Sequence, residues 1–495
     1  MQHNKNNITK YISFALGFFG LLLLLLHGFG LGIMRPSVDL FLALTTISGS
    51  ILVYAYHKYS GHPMGIKNDG QWQNGFTSRG WTAIVSGIII TGFYILLYFF
   101  PKYLGLGGEG VANTGLIALF DPLSQFLKGQ PASQWFVYGV LYTIAIVFFG
   151  IKFIAKYRHN RYQQIRTLSV MFFQFGFAFL LPEILMRLNE PYYNFANMWP
   201  LNYYFFDQWH VDGLIHAGSI GMFMLIWGLL MVFVISPFLT YRFGKRWYCS
   251  WVCGCGGLAE TAGDSFRHLS DNSVRAWKIE RWMIHSVLVF SFVMTIAVIS
   301  SYLGDASSPY WLNKRSFLII VLLLTLGVTG GLYFFRRYEM AKDGRKMMIA
   351  VAVAISLLVL NYFFSGKGNI FFIDAGTLRS WYGFAIGAVF SGVIGVGFYP
   401  LMGNRVWCRF GCPMAAILGL QQKFLSRFRI TTNGGQCISC GNCTTYCEMG
   451  IDVRSYAQKG EDILRASCVG CGICSAVCPR GVLRLENGEI GLKMG

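Results

Sequence analysis

The sequence predicts an all-α polytopic membrane protein with about ten transmembrane helices and a small C-terminal α+β domain. The first observation is composition, because hydrophobic residues make up 54% of the 495 positions, charged residues make up 13%, and the mean hydropathy is +0.47. Soluble domains carry about 25% charged residues, so this chain is not an ordinary soluble protein. The second observation is a series of long apolar runs. The third is that eight of the 13 cysteines lie in the last 60 residues.

The apolar runs set the number of predicted helices. A helix needs roughly 20 apolar residues to cross about 30 Å of hydrocarbon. The first run is too long for a signal peptide, and no small-residue cleavage site comes before Arg35-Pro36, so we expect it to stay as a helix. Ten runs are long enough: 11–34, 39–57, 81–100, 135–155, 167–186, 213–235, 282–303, 316–335, 347–364 and 381–402.

The basic residues predict the orientation. If the N-terminus lies inside, the inner connections up to residue 346 hold 22 of the 41 Lys and Arg residues. The outer connections hold eight, and the remaining eleven follow residue 403. This bias is the positive-inside pattern, so both termini are predicted to be cytoplasmic. This bias also accounts for the net charge of +19. Membrane lipid is therefore the expected partner, and nucleic acid is not.

Residues 430–495 are the predicted soluble domain and carry a repeated cysteine pattern. The stretches CISCGNCTTYCEMG and CVGCGICSAVCPRG both read C-x2-C-x2-C-x3-C. Three closely spaced thiolates hold three corners of a cubane, and the fourth cysteine of each run serves the other cluster. We therefore expect two [4Fe–4S] clusters, the first held by Cys437, Cys440, Cys443 and Cys478 and the second by Cys468, Cys471, Cys474 and Cys447.

This tail resembles the bacterial two-cluster ferredoxin. The alternative is a zinc ribbon, but zinc sites use pairs of cysteines rather than groups of three. The tail departs from the ferredoxin pattern at one position, because Glu448 follows the first run where the second run has Pro479. We do not expect this substitution to affect ligation.

Two further cysteine units follow predicted helices at the inner face. RWYCSWVCGCGG covers residues 246–257, and NRVWCRFGCP covers residues 404–413. Each contains an arginine, an aromatic residue and Cys-x3-Cys, which indicates an internal duplication with units at 249–255 and 408–413. The i, i+4 spacing predicts that both cysteines of a unit share one helical face. Together the units offer four thiolates, from Cys249, Cys253, Cys408 and Cys412, with Cys255 as a doubtful fifth.

Three interpretations of these four cysteines stay open from the residues alone. They are a third iron–sulfur cluster, a thiol redox pair or transient copper site, and plain buried cysteines that serve packing. Arg246, Arg405 and Arg409 favour thiolate or cluster charge, although basic residues at an inner membrane face are also common.

The combination resembles a family of bacterial membrane-bound polyferredoxins over about residues 213–495. Its members include the ferredoxin-type membrane subunit that feeds periplasmic nitrate reductase and the membrane iron–sulfur flavoprotein required by nitrous oxide reductase. The resemblance implies a cytoplasmic-membrane protein that transfers electrons between quinol or a cytoplasmic donor and a periplasmic reductase partner. It does not decide whether the chain is an enzyme, such as a quinol dehydrogenase. A related member handles copper in oxidase assembly, so an assembly factor is the alternative.

The resemblance divides the chain into three regions. Residues 1–212 form an unassigned membrane region with five helices, residues 213–429 carry the duplicated units, and residues 430–495 form the ferredoxin domain. This chain departs from the family where Gly254-Cys255 replaces proline in the first unit. It also lacks the flavin domain of the nitrous oxide relative ahead of its first helix, so a covalent flavin is not expected.

An electron path to the outer face would need a bridge of about 30 Å. Haem b is one hypothesis, with His27 and His216 toward the outer face and His57 and His285 toward the inner face, although such histidines are commonly hydrogen-bonded to a neighbour. Quinol is the other, with Glu183 as proton acceptor beside Pro182, which is expected to break its helix. The favoured alternative pairs Glu183 with Arg187 near an interfacial aromatic belt, namely Tyr192, Tyr193, Trp199, Tyr203, Tyr204, Phe206 and Trp209.

Overall fold

The computed structural model describes residues 2–60, 79–108, 110–303, 310, 312–336, 342–365 and 373–488. Within these residues ten helices are long and apolar enough to cross a membrane, which confirms the ten predicted helices. We call them spans 1–10: Ile8–Gly28, Pro36–Tyr59, Trp81–Phe99, Gln134–Lys156, Arg161–Arg187, Gly218–Phe243, Val274–Tyr302, Lys314–Phe335, Gly344–Phe364 and Ala375–Gly397. Some basic residues of the predicted inner connections, at 61–78 and 337–341, lie outside the described residues.

Several spans differ from their predicted bounds by a turn or two. Span 6 was predicted to begin at residue 213, but residues up to 216 belong to the separate helix Gln208–His216. Span 7 begins eight residues earlier than the predicted start at 282. Hydropathy locates apolar side chains, whereas a helix ends where its backbone hydrogen bonds end, so polar terminal turns escape the prediction.

The outer surface of the bundle is apolar. Phe18, Phe41 and Phe335 are 70%, 67% and 86% exposed, and many other large apolar side chains on the spans point outward. Soluble monomers rarely expose contiguous apolar surface on this scale. The helices therefore present a surface suited to lipid.

Three spans contain π-helical turns, and two of these turns come just before a proline. They are Phe173–Leu180 in span 5, Met231–Ile235 in span 6 and Gly383–Ile394 in span 10. The helix continues through Pro182 to Arg187, so the predicted break at Pro182 was wrong. The wider π turn accommodates the proline ring and its missing N–H without ending the helix.

The segment between spans 5 and 6 enters the bundle. We call residues 188–207 the re-entrant segment. Phe205, 1% exposed, packs against Gly228 in the middle of span 6, and the Trp199 indole donates to the Thr295 hydroxyl of span 7 at 3.0 Å. Irregular backbone at membrane depth is tolerated where protein surrounds it. The predicted interfacial belt was therefore wrong for the buried aromatic residues, whereas Trp209 is 63% exposed.

The tail is a small α+β unit, as predicted. Strand β1, Phe428–Thr432, pairs antiparallel with strand β2, Leu483–Asn487, so that Phe428 lies opposite Asn487. Four short helices lie between the strands: Gly434–Gln436, Asn442–Thr445, Val453–Lys459 and Ile473–Ala476.

Short helices also connect the spans and lead into the tail. These connecting helices are Pro101–Leu104, Gly115–Leu119, Asp121–Lys128, Gln208–His216, Arg246–Cys249, Gly254–Thr261, Ala262–Leu269, Tyr399–Met402, Trp407–Gly411 and Pro413–Leu425.

Candidate functional site

The first tail site lies at the surface. Cys440 is exposed and Cys443 is 8% exposed. Gly441, with φ +77°, is the cap before the helix Asn442–Thr445, and the positive φ explains the glycine between these two cysteines. The four cysteines assigned to the first cluster line one cavity: Cys437, Cys440, Cys443 and Cys478.

The second tail site lies deeper. Burial raises the pKa of Cys447 to about 12, and the neighbouring Cys468 contributes to the shift. Burial likewise raises the pKa of Cys474, with Cys468 and Cys447 as its next neighbours, and Cys474 is itself a neighbour of Cys471. The structure thus brings the last cysteine of the first run to the second run. Cys443 of the first site is also a neighbour of Cys474, so the two sites adjoin.

The two repeated units share a backbone plan. The helix before each unit ends at a glycine with positive φ, +67° at Gly244 and +93° at Gly403. A Cβ at Gly403 would lie 2.4 Å from the Ser270 hydroxyl, so both the conformation and the space require glycine. The shared pattern is therefore Gly-x-Arg-x2-Cys-x3-Cys, two residues longer than the predicted pattern.

The two cysteines of a unit do not share one helical face, so that prediction was wrong. Each unit places its first cysteine in a short helical turn and its second at the N-cap of a new helix. The chain turns between them because Pro413, and in the first unit the stretch that starts at Gly254, begins that new helix. The placements are Cys249 in Arg246–Cys249, Cys253 before Gly254–Thr261, Cys408 in Trp407–Gly411 and Cys412 before Pro413–Leu425.

The four cysteines nevertheless lie in one core. Arg405 joins the two units, because its Nη1 lies 3.2 Å from the Cys249 carbonyl oxygen and 3.4 Å from the Cys408 sulfur. Burial raises the pKa of Cys412, with Cys408, Cys249 and Cys253 as its next neighbours. All four side chains belong to one core and are 5–7% exposed. We call them the membrane-face cysteines.

Cys255 lies next to the membrane-face cysteines. It forms a side-chain hydrogen bond with Cys253, which lowers the pKa of Cys253 to about 7. Cys408 and Cys412 are also its neighbours. The departure from proline at this position therefore adds a fifth thiol beside the membrane-face cysteines.

The chemistry of this donor set fits a soft metal. Burial raises the pKa of Cys249 to about 12, whereas the pKa of Cys253 in the same unit is lowered to about 7. A bound metal would displace the proton and take the thiolate. Arg405 and the N-termini of two helices supply positive charge next to those thiolates. Four thiolates in such a setting suit an iron–sulfur cluster, and Cu(I) also accepts them.

A network of buried charges separates the membrane-face cysteines from the second tail site. Glu448 lies between Arg405, at 3.1 Å, and Arg267, at 2.5 Å. Arg405 also pairs with Glu260, which in turn pairs with Arg166 of span 5. We call the seven side chains, each at most 3% exposed, the buried ion network: Lys156, Arg166, Glu260, Asp264, Arg267, Arg405 and Glu448.

The buried ion network borders Cys471, a predicted cluster ligand. The Cys471 sulfur and carboxylate oxygens of Glu260 and Glu448 lie within 4.8 Å of one another. Such a trio could hold a metal ion, but both carboxylates already pair with guanidinium groups, whose positive charge opposes a cation there. The trio is therefore part of the ion network rather than a separate metal site.

The loop of the second tail site is docked by side chains from the membrane region. Four of them donate to backbone carbonyls of residues 468–471. Span 5 belongs to the region that the sequence left unassigned, and these contacts give it a place beside the second site. The hydrogen bonds run from Tyr162 to Gly470 at 2.9 Å, Gln163 to Cys471 at 2.8 Å, Ser250 to Val469 at 2.9 Å and Gln422 to Cys468 at 2.9 Å.

The three arginines of the units do not act alike. Arg405 contacts a thiol, as described above. The guanidinium of Arg246 lies 4.3 Å from the centre of the Phe428 ring, and Arg409 pairs with Glu280 at 2.7 Å. Arg246 and Arg409 thus fasten the units to the tail and to span 7.

The span histidines are engaged locally. His27 Nδ1 lies 3.3 Å from Asp39, and the Nδ1 atoms of His216 and His285 lie 2.7 and 2.5 Å from the carbonyl oxygens one turn earlier on their own helices. His57 lies in the last turn of span 2. For His27, His216 and His285 this matches the hydrogen-bonded alternative, so haem ligation stays an untested hypothesis.

Glu183 is buried in span 5, 7% exposed. The expected ion pair with Arg187 is not among the ion pairs of the described residues, and Arg187 instead donates to the Phe126 carbonyl. Lys128 is the charged neighbour of Glu183. The Arg187 prediction was therefore wrong, because Arg187 points to the short helix that carries Lys128.

Comparisons with known proteins identify iron–sulfur domains in both regions. A family described as "4Fe-4S dicluster domain" matches residues 436–483. A family described as "4Fe-4S binding domain" matches twice, at residues 223–272 and 384–431. Each of these two segments contains one cysteine unit, which supports the internal duplication. The chain therefore carries iron–sulfur domains at the membrane region as well as in the tail.

The chain is 26% identical over 235 residues to the "Putative electron transport protein YccM" of Escherichia coli (strain K12). The match covers 46% of this chain and 48% of that protein, so the chain spans about half the length of the curated relative that it matches. No solved structure matches. These findings support the resemblance to membrane-bound polyferredoxins in its general form.

Proposed function

We propose that this chain is an iron–sulfur electron-transfer protein of the bacterial cytoplasmic membrane. In this proposal Cys249, Cys253, Cys408 and Cys412 hold a third cluster next to the two tail clusters. The single observation that carries it is that these four buried cysteines, from two repeated units, share one core with the cysteines of the second tail site. The two matches to a 4Fe-4S binding family support it. The assignment of the eight tail cysteines to two clusters belongs to the same proposal.

The three sites form an ordered series. Cys440 is exposed, so the first tail site can exchange electrons with a soluble partner. Cys443 and Cys474 join the first site to the second, and Cys471 and Cys408 lie on either side of the buried ion network. Clusters held by the cysteines of the three sites would supply one-electron transfer between neighbouring sites. The protein's role in this proposal is to hold the three sites at fixed separations and to exclude water between them.

The re-entrant segment extends this series toward the far side of the bundle. Tyr382 of span 10 is a neighbour of Cys412, and its ring centre lies 5.6 Å from that of Tyr203. Tyr203 and Tyr204 follow at 5.8 Å, and Tyr204 stacks on the exposed Trp209 at 5.9 Å. These aromatic side chains therefore form a series from the membrane-face cysteines to the exposed Trp209. There we propose quinol or a subunit of a periplasmic reductase as the electron partner, as in the nitrate and nitrous oxide relatives.

The second candidate function is copper handling in the assembly of a respiratory enzyme. The observation that favours it is the sulfur-only donor set, five thiols including Cys255, which suits Cu(I). The two candidates differ in what the membrane-face cysteines bind in the purified protein.

Iron and acid-labile sulfide per chain test the proposal on protein purified without oxygen. Three clusters predict about 12 irons, and Cys408→Ser is expected to lower the count to about eight while it keeps the tail signals. Ser37, an exposed residue at the start of span 2, gives the control Ser37→Ala, which should keep about 12. About eight irons in the wild type, together with copper lost in Cys408→Ser, would replace the relay with the copper function.

A further inference from the structure

The two halves of the tail differ at one equivalent position. The ferredoxin pattern has proline after the fourth cysteine of a run. Pro479 keeps it after the second run, where it is exposed and borders the first site. Glu448 replaces it after the first run, where it is 1% exposed. An acidic residue that is almost fully buried at this position needs a compensating environment.

Glu448 reaches both halves of the duplicated membrane region. Its carboxylate accepts from Arg267 at 2.5 Å, behind the first unit, and pairs with Arg405 of the second unit at 3.1 Å. The Asn404 amide donates to it at 3.3 Å, and its backbone carbonyl accepts from the Ser270 hydroxyl at 2.8 Å. One residue of the tail therefore contacts both halves of the duplicated membrane region.

The same contacts connect two metal-ligand sets. Glu448 follows Cys447 directly in the chain, and Cys447 belongs to the second tail site. On the other side, Arg405 contacts the Cys408 sulfur and the Cys249 carbonyl. A Cβ at Gly256 would lie 2.8 Å from Arg405 Nη1 and 2.1 Å from the Cys249 carbonyl oxygen, so this glycine leaves room for the arginine. The path from Cys447 to Cys408 runs through Glu448 and Arg405.

We propose that Glu448 is a positioning residue that fixes the tail on both halves of the duplicated membrane region and holds the second tail site in register with the membrane-face cysteines. The docking part stands on the contacts alone, whereas its use in electron transfer rests on the proposed function. Without the carboxylate, Arg267 and Arg405 lose a shared anion in the protein interior, and breaking a buried ion pair in this way is strongly destabilising. Loss of the Glu448 carboxylate would then favour separation of the tail from the membrane region.

Hydrogen–deuterium exchange on the full-length protein in lipid nanodiscs tests the docking. Glu448→Gln is expected to speed amide exchange in residues 255–270, 404–412 and 466–472 by about 100-fold, which is the effect of roughly 3 kcal/mol at 1.4 kcal/mol per tenfold. Pro479→Ala, the matched change in the other half, should leave these segments unchanged. Tail iron is expected to stay at about eight per chain in Glu448→Gln.

Glu448→Asp keeps the charge but shortens the side chain, so we expect about tenfold faster exchange in the same segments. This variant serves if Glu448→Gln does not accumulate. If amide exchange in Glu448→Asp is as slow as in the wild type, and the same is true of Glu448→Gln where that variant accumulates, the inference is overturned. If exchange rises as expected but the wild type holds about eight irons, the inference stands and the third cluster fails. If the wild type holds about 12 irons and exchange is unchanged in the variants, the third cluster stands and the docking inference fails.

A second measurement separates positioning from simple stability. If the third cluster is present, its spin coupling to the second tail cluster, observed by EPR of the reduced protein, should weaken in Glu448→Gln and partly return in Glu448→Asp. Both clusters should still be counted by iron. Full coupling in Glu448→Gln with an intact iron content would overturn the positioning role.

Discussion

The two cysteine sites of the tail belong to one repeated motif but lie in different surroundings. The first site opens to solvent, and its cavity is lined by Arg454, Pro479 and Arg480 in addition to the cysteines. The second site lies against the membrane region, with hydrogen bonds from span 5, the first unit and the helix after the second unit. A symmetric sequence motif has thus become an asymmetric structure. The open half suits exchange with a partner, and the closed half suits transfer within the chain.

The difference comes from contacts rather than from the ligands. In the proposed assignment both sites use three cysteines of one run and one of the other. The second site adds a surrounding set of buried charges, with four cations and three carboxylates in the buried ion network. The excess positive charge is compatible with anionic clusters on both sides of it. Surroundings of this kind set the potential and the docking of a cluster, whereas the cysteine pattern sets only its assembly.

The largest expected effect tests which run serves which site. Cys447→Ser, although it changes the first run, is expected to remove the second cluster and leave the first, because Cys447 lies with Cys468 and Cys474. Cys478→Ser is its matched control and should remove the first cluster. EPR of each reduced variant distinguishes the two. Loss of the surface cluster in Cys447→Ser would contradict the exchange of ligands between runs.

The next prediction compares two arginines in equivalent positions of the units. Arg405→Gln is expected to destabilise the protein by about 3–5 kcal/mol, because it leaves Glu260 and Glu448 buried with one cation fewer each. Arg246→Gln removes a cation–π contact with Phe428 and should cost about 1 kcal/mol. Thermal unfolding in detergent gives the order. Equal losses would show that the ion network does not distinguish the two units.

A smaller effect is expected from backbone strain. Gly403→Ala places a Cβ 2.4 Å from the Ser270 hydroxyl at φ +93°, so it should cost more than 2 kcal/mol and loosen the second unit. Gly481→Ala also has positive φ, +61°, but no atom lies within 4 Å of the added Cβ, so it should cost about 1 kcal/mol. The comparison is made from unfolding temperatures. A larger loss in Gly481→Ala would mean that the open half is the more tightly packed one.

The smallest effect comes from a single docking hydrogen bond. Tyr162→Phe removes the hydroxyl that donates to the Gly470 carbonyl at 2.9 Å and accepts from the Trp251 indole at 3.2 Å, and should cost about 1–2 kcal/mol. We expect faster exchange of the amides around Gly470 and no change around Ser439, which lies in the first site. A uniform change in both sites would argue against separate docking of the second half.

Much of the fold could be predicted from sequence because it depends on local patterns. Ten apolar runs gave ten helices, and the cysteine spacing led to the residues that line the first site. The duplicated units were also visible, although the turn between their cysteines was missed. Helical spacing is a poor guide where glycine or Pro413 starts a new helix, and the glycines at 244 and 403 were the available signal.

The buried ion network could not be predicted, because its members are far apart in the chain. Arg166, Glu260 and Arg405 meet only after the spans have packed, and no spacing rule connects them. Glu448 was the one local signal, as a departure from proline, but its partners decide its meaning. The re-entrant segment was missed for the same reason, since aromatic residues at a membrane interface and in a buried loop have the same composition.

The central claim is that a cluster held by the membrane-face cysteines lies next to the second tail cluster. EPR of the fully reduced wild-type protein tests this most directly, with Cys412→Ser as the reference. We predict a spin-coupled spectrum from three reduced clusters that simplifies to the two-cluster spectrum of the tail in Cys412→Ser. A wild-type spectrum identical to that of Cys412→Ser, from protein with full tail iron, would contradict the claim.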